Sequence, residues 1–194
     1  DKRLWPFYEK ATELGIPLTV HTGFSYVVPQ PSSHCQVGQL DDVLLAFPDL
    51  KIIAYHAGWP QSEELIGLCG KHRNLYMSLS GIIGWYQRSP YRGYHAIGTA
   101  LQWMPADKIV LGFDLPFDDL GRVVDYIINL DMPAELQEKW GYAQVTEEDK
   151  AKILGLNLAK LTGIQFTTCP AVTMERFDEM VEVDLRKYLP NEKK

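Results

Sequence analysis

Residues 51–60 read KIIAYHAGWP, a short apolar run that ends at His56 and is followed by a glycine and a proline. The same pattern occurs in PLTVH, which ends at His21, and in KIVLGFD, which ends at Asp114. Apolar runs of this length are typical of strands buried on both faces of a parallel sheet. Parallel sheets and barrels build their sites at the carboxyl ends of strands, so we expect these three polar side chains to face one ligand.

Segments with helical spacing of apolar residues separate these runs. The spacing predicts strands over 17–20, 51–55, 75–79 and 108–112, and helices over 4–14, 37–47, 62–71, 94–104 and 120–130. Gly15 is expected to end the first helix, and Thr146 is expected to cap a helix that runs to residue 154. Long loops are expected over 22–33 and 80–92, after the first and third strands. Strands that alternate with helices indicate an α/β fold with a parallel sheet and right-handed crossovers.

Composition narrows the class of protein. A chain of 194 residues with 46% hydrophobic content can bury one substantial core. The formal net charge of −6, without a basic stripe, argues against a nucleic-acid surface. The longest apolar stretches are strand-sized, which predicts no membrane-spanning segment. A small-molecule partner is therefore expected.

The cysteines suggest a reducing compartment. Cys35, Cys69 and Cys169 are widely separated and form no Cys-x-x-Cys pair, so neither a disulfide framework nor a cysteine zinc site is expected. This usage fits the cytoplasm. The chain starts at Asp1 without an initiator methionine or a leader pattern, so we expect further polypeptide upstream.

Five spaced motifs together resemble a known family. They are the segments 16–21, 47–60, 74–78, 109–116 and 155–163. In this order they resemble the C-terminal half of the amidohydrolase-related family, in the branch that includes aminocarboxymuconate-semialdehyde decarboxylase and related decarboxylases and hydrolases. The resemblance covers residues 1–164. Residues 165–194 are expected to form a C-terminal extension, with a helix near 173–188.

The resemblance implies a (β/α)8 barrel whose last four strand–helix units lie in this chain, since a whole barrel needs about 250 residues. It also implies roles for the three strand-end residues. His21 would bind a divalent metal, zinc or alternatively manganese. Asp114 would bind the same metal and exchange protons, and His56 would be a catalytic group beside the substrate.

One element of the family pattern is missing. The family's first strand carries His-x-His or Glu-x-His, and no such motif occurs among the five histidines of this sequence, which are His21, His34, His56, His72 and His95. A catalytic zinc has about three protein ligands and an open position. His21 and Asp114 are therefore expected to form an incomplete site that binds metal weakly.

Further residues are expected to bind substrate or to serve the structure. Phe24 and Trp59, with Tyr26 and Trp85, would form an aromatic wall for a planar acid, and Arg88 or Arg92 would bind a carboxylate. The alternatives are structural: His21 as a satisfied structural residue, His56 as a turn cap, Asp114 as an N-cap or Asx-turn residue, and the loop arginines as solvated side chains. Asp118 and Asp119 are expected to cap the helix that starts at residue 120.

These expectations lead to three hypotheses. The first is a metal-dependent, non-oxidative decarboxylase of a small carboxylic acid. The second is a hydrolase of a lactone, amide or similar bond, in which the same three groups serve. The third is a half-barrel that is catalytically incomplete alone and pairs with a chain that completes it, or self-associates as a homo-oligomer, through its open sheet edges.

Overall fold

The computed structural model describes residues 1–115 and 118–165, apart from the side chains of residues 84, 85 and 87. Contacts divide the chain into two units, Asp1–Ile164 and Gln165–Lys194. The first unit holds all the elements described below. The helix predicted near 173–188 and the third cysteine, Cys169, lie outside the described residues.

Four parallel strands form the sheet. They are β1 (Leu18–Val20), β2 (Ile52–Ala54), β3 (Leu75–Ser78) and β4 (Ile109–Val110), and they lie side by side in sequence order. Each lies within its predicted run and is shorter than that run. Parallel strands in this order, each followed by helices, are arranged as consecutive units of a (β/α)8 barrel, as predicted.

Helices connect and follow the strands. They are α1 (Trp5–Leu14), α2 (Gln39–Ala46), α3 (Ser62–Lys71), α4 (Ile83–Arg88), α5 (Pro90–Trp103), α6 (Leu120–Ile128), α7 (Ala134–Trp140), α8 (Glu147–Ala151) and α9 (Asn157–Thr162). A π-helical turn, Lys152–Leu156, joins α8 to α9, and 3-10 turns span Lys2–Leu4, Ser32–Cys35, Tyr55–Gly58 and Ala106–Lys108.

Two predicted helix ends are confirmed in detail. Gly15 ends α1 with φ of 66°, a left-handed conformation that glycine adopts without steric cost. The side chain of Thr146 accepts a hydrogen bond from the backbone of Asp149, and the Asp149 carboxylate accepts one in return from the backbone of Thr146. This reciprocal capping fixes where α8 begins.

The loop predicted over 80–92 is wrong, because α4 occupies part of it and α5 begins at Pro90. Proline suits the first turn of a helix, where its missing N–H is not needed. Gly93 lies inside α5 for packing: a Cβ there would lie 2.2 Å from the hydroxyl of Tyr126. Proline and glycine usually indicate loops, but here Pro90 begins a helix and Gly93 allows close packing of that helix. Helix α7 was also not predicted from the sequence.

Apolar side chains cover both faces of the sheet. Ile52 and Ala54 pack on one face in the main core with side chains of α2 and α3, including Leu44 and Leu65. Ile53 packs on the other face with Val110 and Leu161. Full burial of an isoleucine or leucine side chain contributes about 1.5–3 kcal/mol. The strands are therefore fixed on both sides, which gives their carboxyl ends defined positions.

None of the helices in residues 1–115 and 118–165 combines the length and hydrophobicity needed to cross a membrane.

Candidate active site

A cleft opens where the strands end. Its volume is about 750 Å³. His21 follows β1, His56 follows β2 by two residues, Gly81 follows β3, and Asp114 follows β4. Seven of the nine residues predicted for the site line this cleft, namely His21, Phe24, Tyr26, His56, Trp59, Arg88 and Asp114, and Arg92 does not. The fold thus brings most of the predicted side chains to one place.

The two histidines are in direct contact. His56 Nε2 lies 3.1 Å from His21 Nδ1, and the ring centroids are 4.6 Å apart. The outer nitrogens each face a backbone carbonyl: His56 Nδ1 lies 3.0 Å from the oxygen of Ser80, and His21 Nε2 lies 3.2 Å from the oxygen of Phe24.

These contacts define the protonation states of the pair. A carbonyl oxygen only accepts hydrogen bonds, so the outer nitrogen of each ring carries its proton. The inner nitrogens then either share one further proton, which makes the pair cationic, or present two lone pairs. The second state suits a metal cation, and orientation of a ligand histidine by a carbonyl is a common feature of metal sites.

The backbone around His56 is strained. His56 has φ of 60° and Ala57 has φ of 47°, both in the left-handed region that non-glycine residues rarely adopt. Each such residue costs on the order of 1–3 kcal/mol, and strain of this kind concentrates at functional sites. A hydrogen bond from the His56 backbone N–H to Ser80 Oγ, at 3.3 Å, helps to hold this turn.

Gly81 leaves room for two of the site residues. A Cβ at this position would lie 3.1 Å from Asp114 Oδ2 and 3.1 Å from His56 Nδ1. Gly81 also has φ of 69°, which disfavours any other residue. The aspartate and the histidine thus face each other across a residue without a side chain.

Asp118 has a role that the sequence analysis missed. Its Oδ2 accepts hydrogen bonds from the backbone N–H of Asp114, at 2.7 Å, and of Gly81, at 3.0 Å. The residue is only 8% exposed. The expectation that Asp118 and Asp119 both cap α6 is correct for Asp119, which accepts from the backbone of Arg122, and wrong for Asp118. Asp118 instead ties the loop after β3 to the loop after β4.

The aromatic residues line one side of the cleft. The rings of Phe24 and Tyr26 are 5.0 Å apart in a T-shaped arrangement, and both residues line the cleft together with Trp59. The side chain of Trp85, also expected in this wall, lies outside the described residues. These rings give the cleft an aromatic lining, as small-molecule sites commonly have.

The remaining histidines lie elsewhere, as expected. His72 Nε2 lies 2.5 Å from Asp41 Oδ1, and His95 Nδ1 lies 2.5 Å from the hydroxyl of Tyr142. His34 is exposed in the 3-10 turn Ser32–Cys35. None of the three lines the cleft.

The donor set suits a divalent metal in type. Imidazole nitrogen and carboxylate oxygen are the ligands that zinc and manganese accept, and His21 and Asp114 would provide them. Across residues 1–115 and 118–165, no three His, Cys, Asp or Glu side chains form a group that could hold a metal ion. His21 and Asp114 would therefore supply part of a coordination shell, in line with the missing first-strand motif.

Comparisons with known proteins identify relatives of this fold. The amidohydrolase family matches residues 1–164. No curated protein sequence matches significantly. An uncharacterised TIM-barrel protein from Bordetella bronchiseptica superimposes with a TM-score of 0.63 and 24% identity, over 84% of this chain and 51% of that protein.

Two decarboxylases have the same fold. A dihydroxybenzoic acid decarboxylase from a Polaromonas species, with bound manganese and 2-nitroresorcinol, gives a TM-score of 0.57 at 18% identity, over 86% of this chain and 55% of that one. A 5-carboxyvanillate decarboxylase from Sphingomonas paucimobilis gives 0.57 at 16% identity, over 85% and 54%. This chain thus spans about half the length of these structures.

Proposed function

Because the chain belongs to the amidohydrolase family, we propose that it carries part of the active site of a metal-dependent enzyme that decarboxylates a small carboxylic acid. One observation carries the proposal: two histidines and an aspartate from the ends of separate strands line one cleft with an aromatic wall. Side chains at the carboxyl ends of barrel strands are where such folds do their chemistry.

His21 and Asp114 would hold the metal, zinc or manganese. A divalent ion in such a site polarises a bound carboxylate or lowers the pKa of bound water. Phe24 and Trp59 would hold the flat body of the substrate, and Arg88 would bind a carboxylate through paired N–H donors.

The proton transfer would fall to Asp114 or His56. When the bond between the substrate carbon and its carboxylate breaks, carbon dioxide leaves and the electron pair stays on that carbon. A proton from Asp114 or His56 then forms the new C–H bond.

The decarboxylase assignment is supported by the decarboxylases that occur among the structural neighbours. Hydrolysis of a lactone or amide is the second candidate, because the same residues could activate water and take up its proton. The observation that favours this alternative is the match to the amidohydrolase family, whose name denotes hydrolysis.

A third candidate belongs to another class. The two outermost strands, β1 and β4, each pair with one neighbour among the described strands. Open strand edges invite pairing with a further chain. Under this candidate the chain is half of a site that a partner chain, or a second copy, completes. Sedimentation equilibrium would support it with a dimer and contradict it with a monomer that binds metal tightly.

Product analysis separates the first two candidates. The full chain is incubated with Mn²⁺, with Zn²⁺ or with a chelator, together with 2,6-dihydroxybenzoate, 5-carboxyvanillate and an aromatic lactone. Metal-dependent release of carbon dioxide that His56→Ala removes and His34→Ala retains would support decarboxylation. Acid formation from the lactone without carbon dioxide release would support hydrolysis and contradict the first candidate.

A further inference from the structure

The cleft has a second lobe. Trp59, Ile82, Tyr86, Arg88, Ser89 and Arg92 enclose a space of about 400 Å³, which we call the distal lobe. Three of these residues, Trp59, Ile82 and Arg88, also line the main cleft. The distal lobe therefore adjoins the main cleft.

The distal lobe holds positive charge that no described residue neutralises. Neither Arg88 nor Arg92 forms an ion pair or a side-chain hydrogen bond with the described residues. The other arginines in those residues, namely Arg3, Arg73 and Arg122, each pair with an aspartate. Two like charges four residues apart repel unless an anion lies between them. The pair at this lobe is thus an exception that an anionic ligand would explain.

A buried tyrosine lies beside these charges. Tyr86 is only 5% exposed and lines the lobe. Burial raises the pKa of Tyr86 above its usual value, so the hydroxyl remains a neutral donor. A neutral phenol can donate a hydrogen bond to an anionic ligand in the lobe.

The remaining lining is apolar. Ile82 is buried, and Trp59 presents a ring to both lobes. An apolar surface with two guanidinium groups and a hydroxyl donor matches an unsaturated or aromatic skeleton that ends in an anionic group.

We propose that the distal lobe binds a second anionic group of the substrate, through Arg88, Arg92 and Tyr86, while the first carboxylate lies at His21, His56 and Asp114. The substrate class is then a rigid, unsaturated acid with two anionic groups. This inference rests on the proposed function, because the first carboxylate is assigned by it. Arg92 and Tyr86 become residues that determine specificity, since they line the distal lobe alone.

Ligand-observed NMR titration of the full chain tests the proposal. The probes are benzoate, which has one carboxylate, and three rigid diacids of increasing carboxylate separation: isophthalate, terephthalate and 4-carboxycinnamate. Each is titrated with Zn²⁺ and again with a chelator. Charge-assisted hydrogen bonds predict that at least one diacid binds about tenfold or more tightly than benzoate.

Variants test which residues cause the preference for a diacid over benzoate. Arg92→Gln and Tyr86→Phe should each lower the ratio of diacid to benzoate affinity, with Arg92→Gln bringing it close to one. Arg92→Lys, which keeps the charge and loses the paired donors, should give an intermediate ratio. Arg73→Gln removes the same charge from the surface pair with Asp49 and should leave the ratio unchanged. Circular dichroism spectra of each variant confirm that it is folded.

The outcomes separate the two proposals. A diacid preference that requires Arg92 supports the inference. Zinc-dependent binding of benzoate with no preference for any diacid overturns the inference and leaves the proposed function standing. A preference that survives Arg92→Gln also overturns it. If no acid binds with or without zinc, the inference and the proposed function both fall.

Discussion

The two ends of the sheet use their polar groups differently. At the amino ends, Lys108 Nζ donates to the carbonyl oxygens of His72 and Leu75, at 2.9 and 3.1 Å, and Asn157 Nδ2 donates to those of Ala106 and Ile109, at 2.7 and 2.8 Å. These side chains satisfy the backbone. At the carboxyl ends, polar side chains instead line an open cleft.

The strained backbone conformations also lie at the carboxyl ends of the strands. The left-handed residues His56 and Ala57 lie there, and Gly81 leaves space between a histidine and an aspartate. In barrels, residues at the amino ends of strands serve stability and those at the carboxyl ends serve chemistry. The comparison predicts that substitutions at the two ends affect different measurements.

The largest effect is expected for His56→Ala. Loss of a general acid or base lowers a rate by about 10²–10⁴-fold, so kcat/KM for the decarboxylated acid should fall by that factor. Thermal unfolding should change little, since the strained backbone remains. His34→Ala, at an exposed histidine away from the cleft, is the control and should retain full activity. Equal loss of activity in both variants would show that His56 is no more important for the reaction than an exposed histidine outside the cleft.

Asn157→Ala tests the amino end. Asn157 is 4% exposed, and its removal takes a donor from two carbonyl oxygens, of which that of Ala106 keeps the backbone N–H of Ile109. The free energy of unfolding should therefore fall by about 2 kcal/mol. Metal affinity per folded molecule should not change. Asn129→Ala, at an exposed asparagine that donates to Asp125, should cost less than about 1 kcal/mol. Urea denaturation measures the free energy of unfolding of both variants. Equal losses of stability would contradict the structural role assigned to Asn157.

Adjacent aspartates sharpen the comparison at the carboxyl end. Asp118→Ala removes the acceptor of two backbone N–H groups and should cost about 2 kcal/mol of stability while weakening metal binding. Asp119→Ala removes a helix cap and should cost about 1 kcal/mol without changing metal binding. Urea denaturation and metal titration give the two readings. Undiminished metal affinity in Asp118→Ala would show that the carboxylate does not position Asp114.

The smallest effect concerns pH. Hydrogen bonds from Lys71 and His72 lower the pKa of Asp41 below its usual value of 3.8. A lowered pKa in the folded state stabilises the protein above pH 3.8, and this contribution is lost as the pH falls through the folded-state pKa. Asp41→Asn should therefore flatten the acid limb of the stability curve, measured by thermal unfolding at several pH values. Asp42→Asn, one residue along α2, should not.

The sequence predicted the strands and their terminal side chains because buried parallel strands have a clear apolar pattern. It did not predict the contact between His21 and His56, which depends on the register that pairs Val20 with Ala54. Register depends on packing of the whole sheet. Asp118 was missed because two consecutive aspartates before a helix resemble caps, although the helix uses only one of them. Helix α4 was missed because the nearby glycines and proline also signal loops.

Manganese titration of the full chain, followed by electron paramagnetic resonance, tests most directly whether the carboxyl ends form a metal site. We predict that one ion binds per chain, and that His21→Ala and Asp114→Ala each weaken binding about tenfold or more, while His34→Ala and Asp119→Ala do not. Absence of binding, or binding that is the same in His21→Ala and Asp114→Ala as in the unaltered chain, would contradict this account.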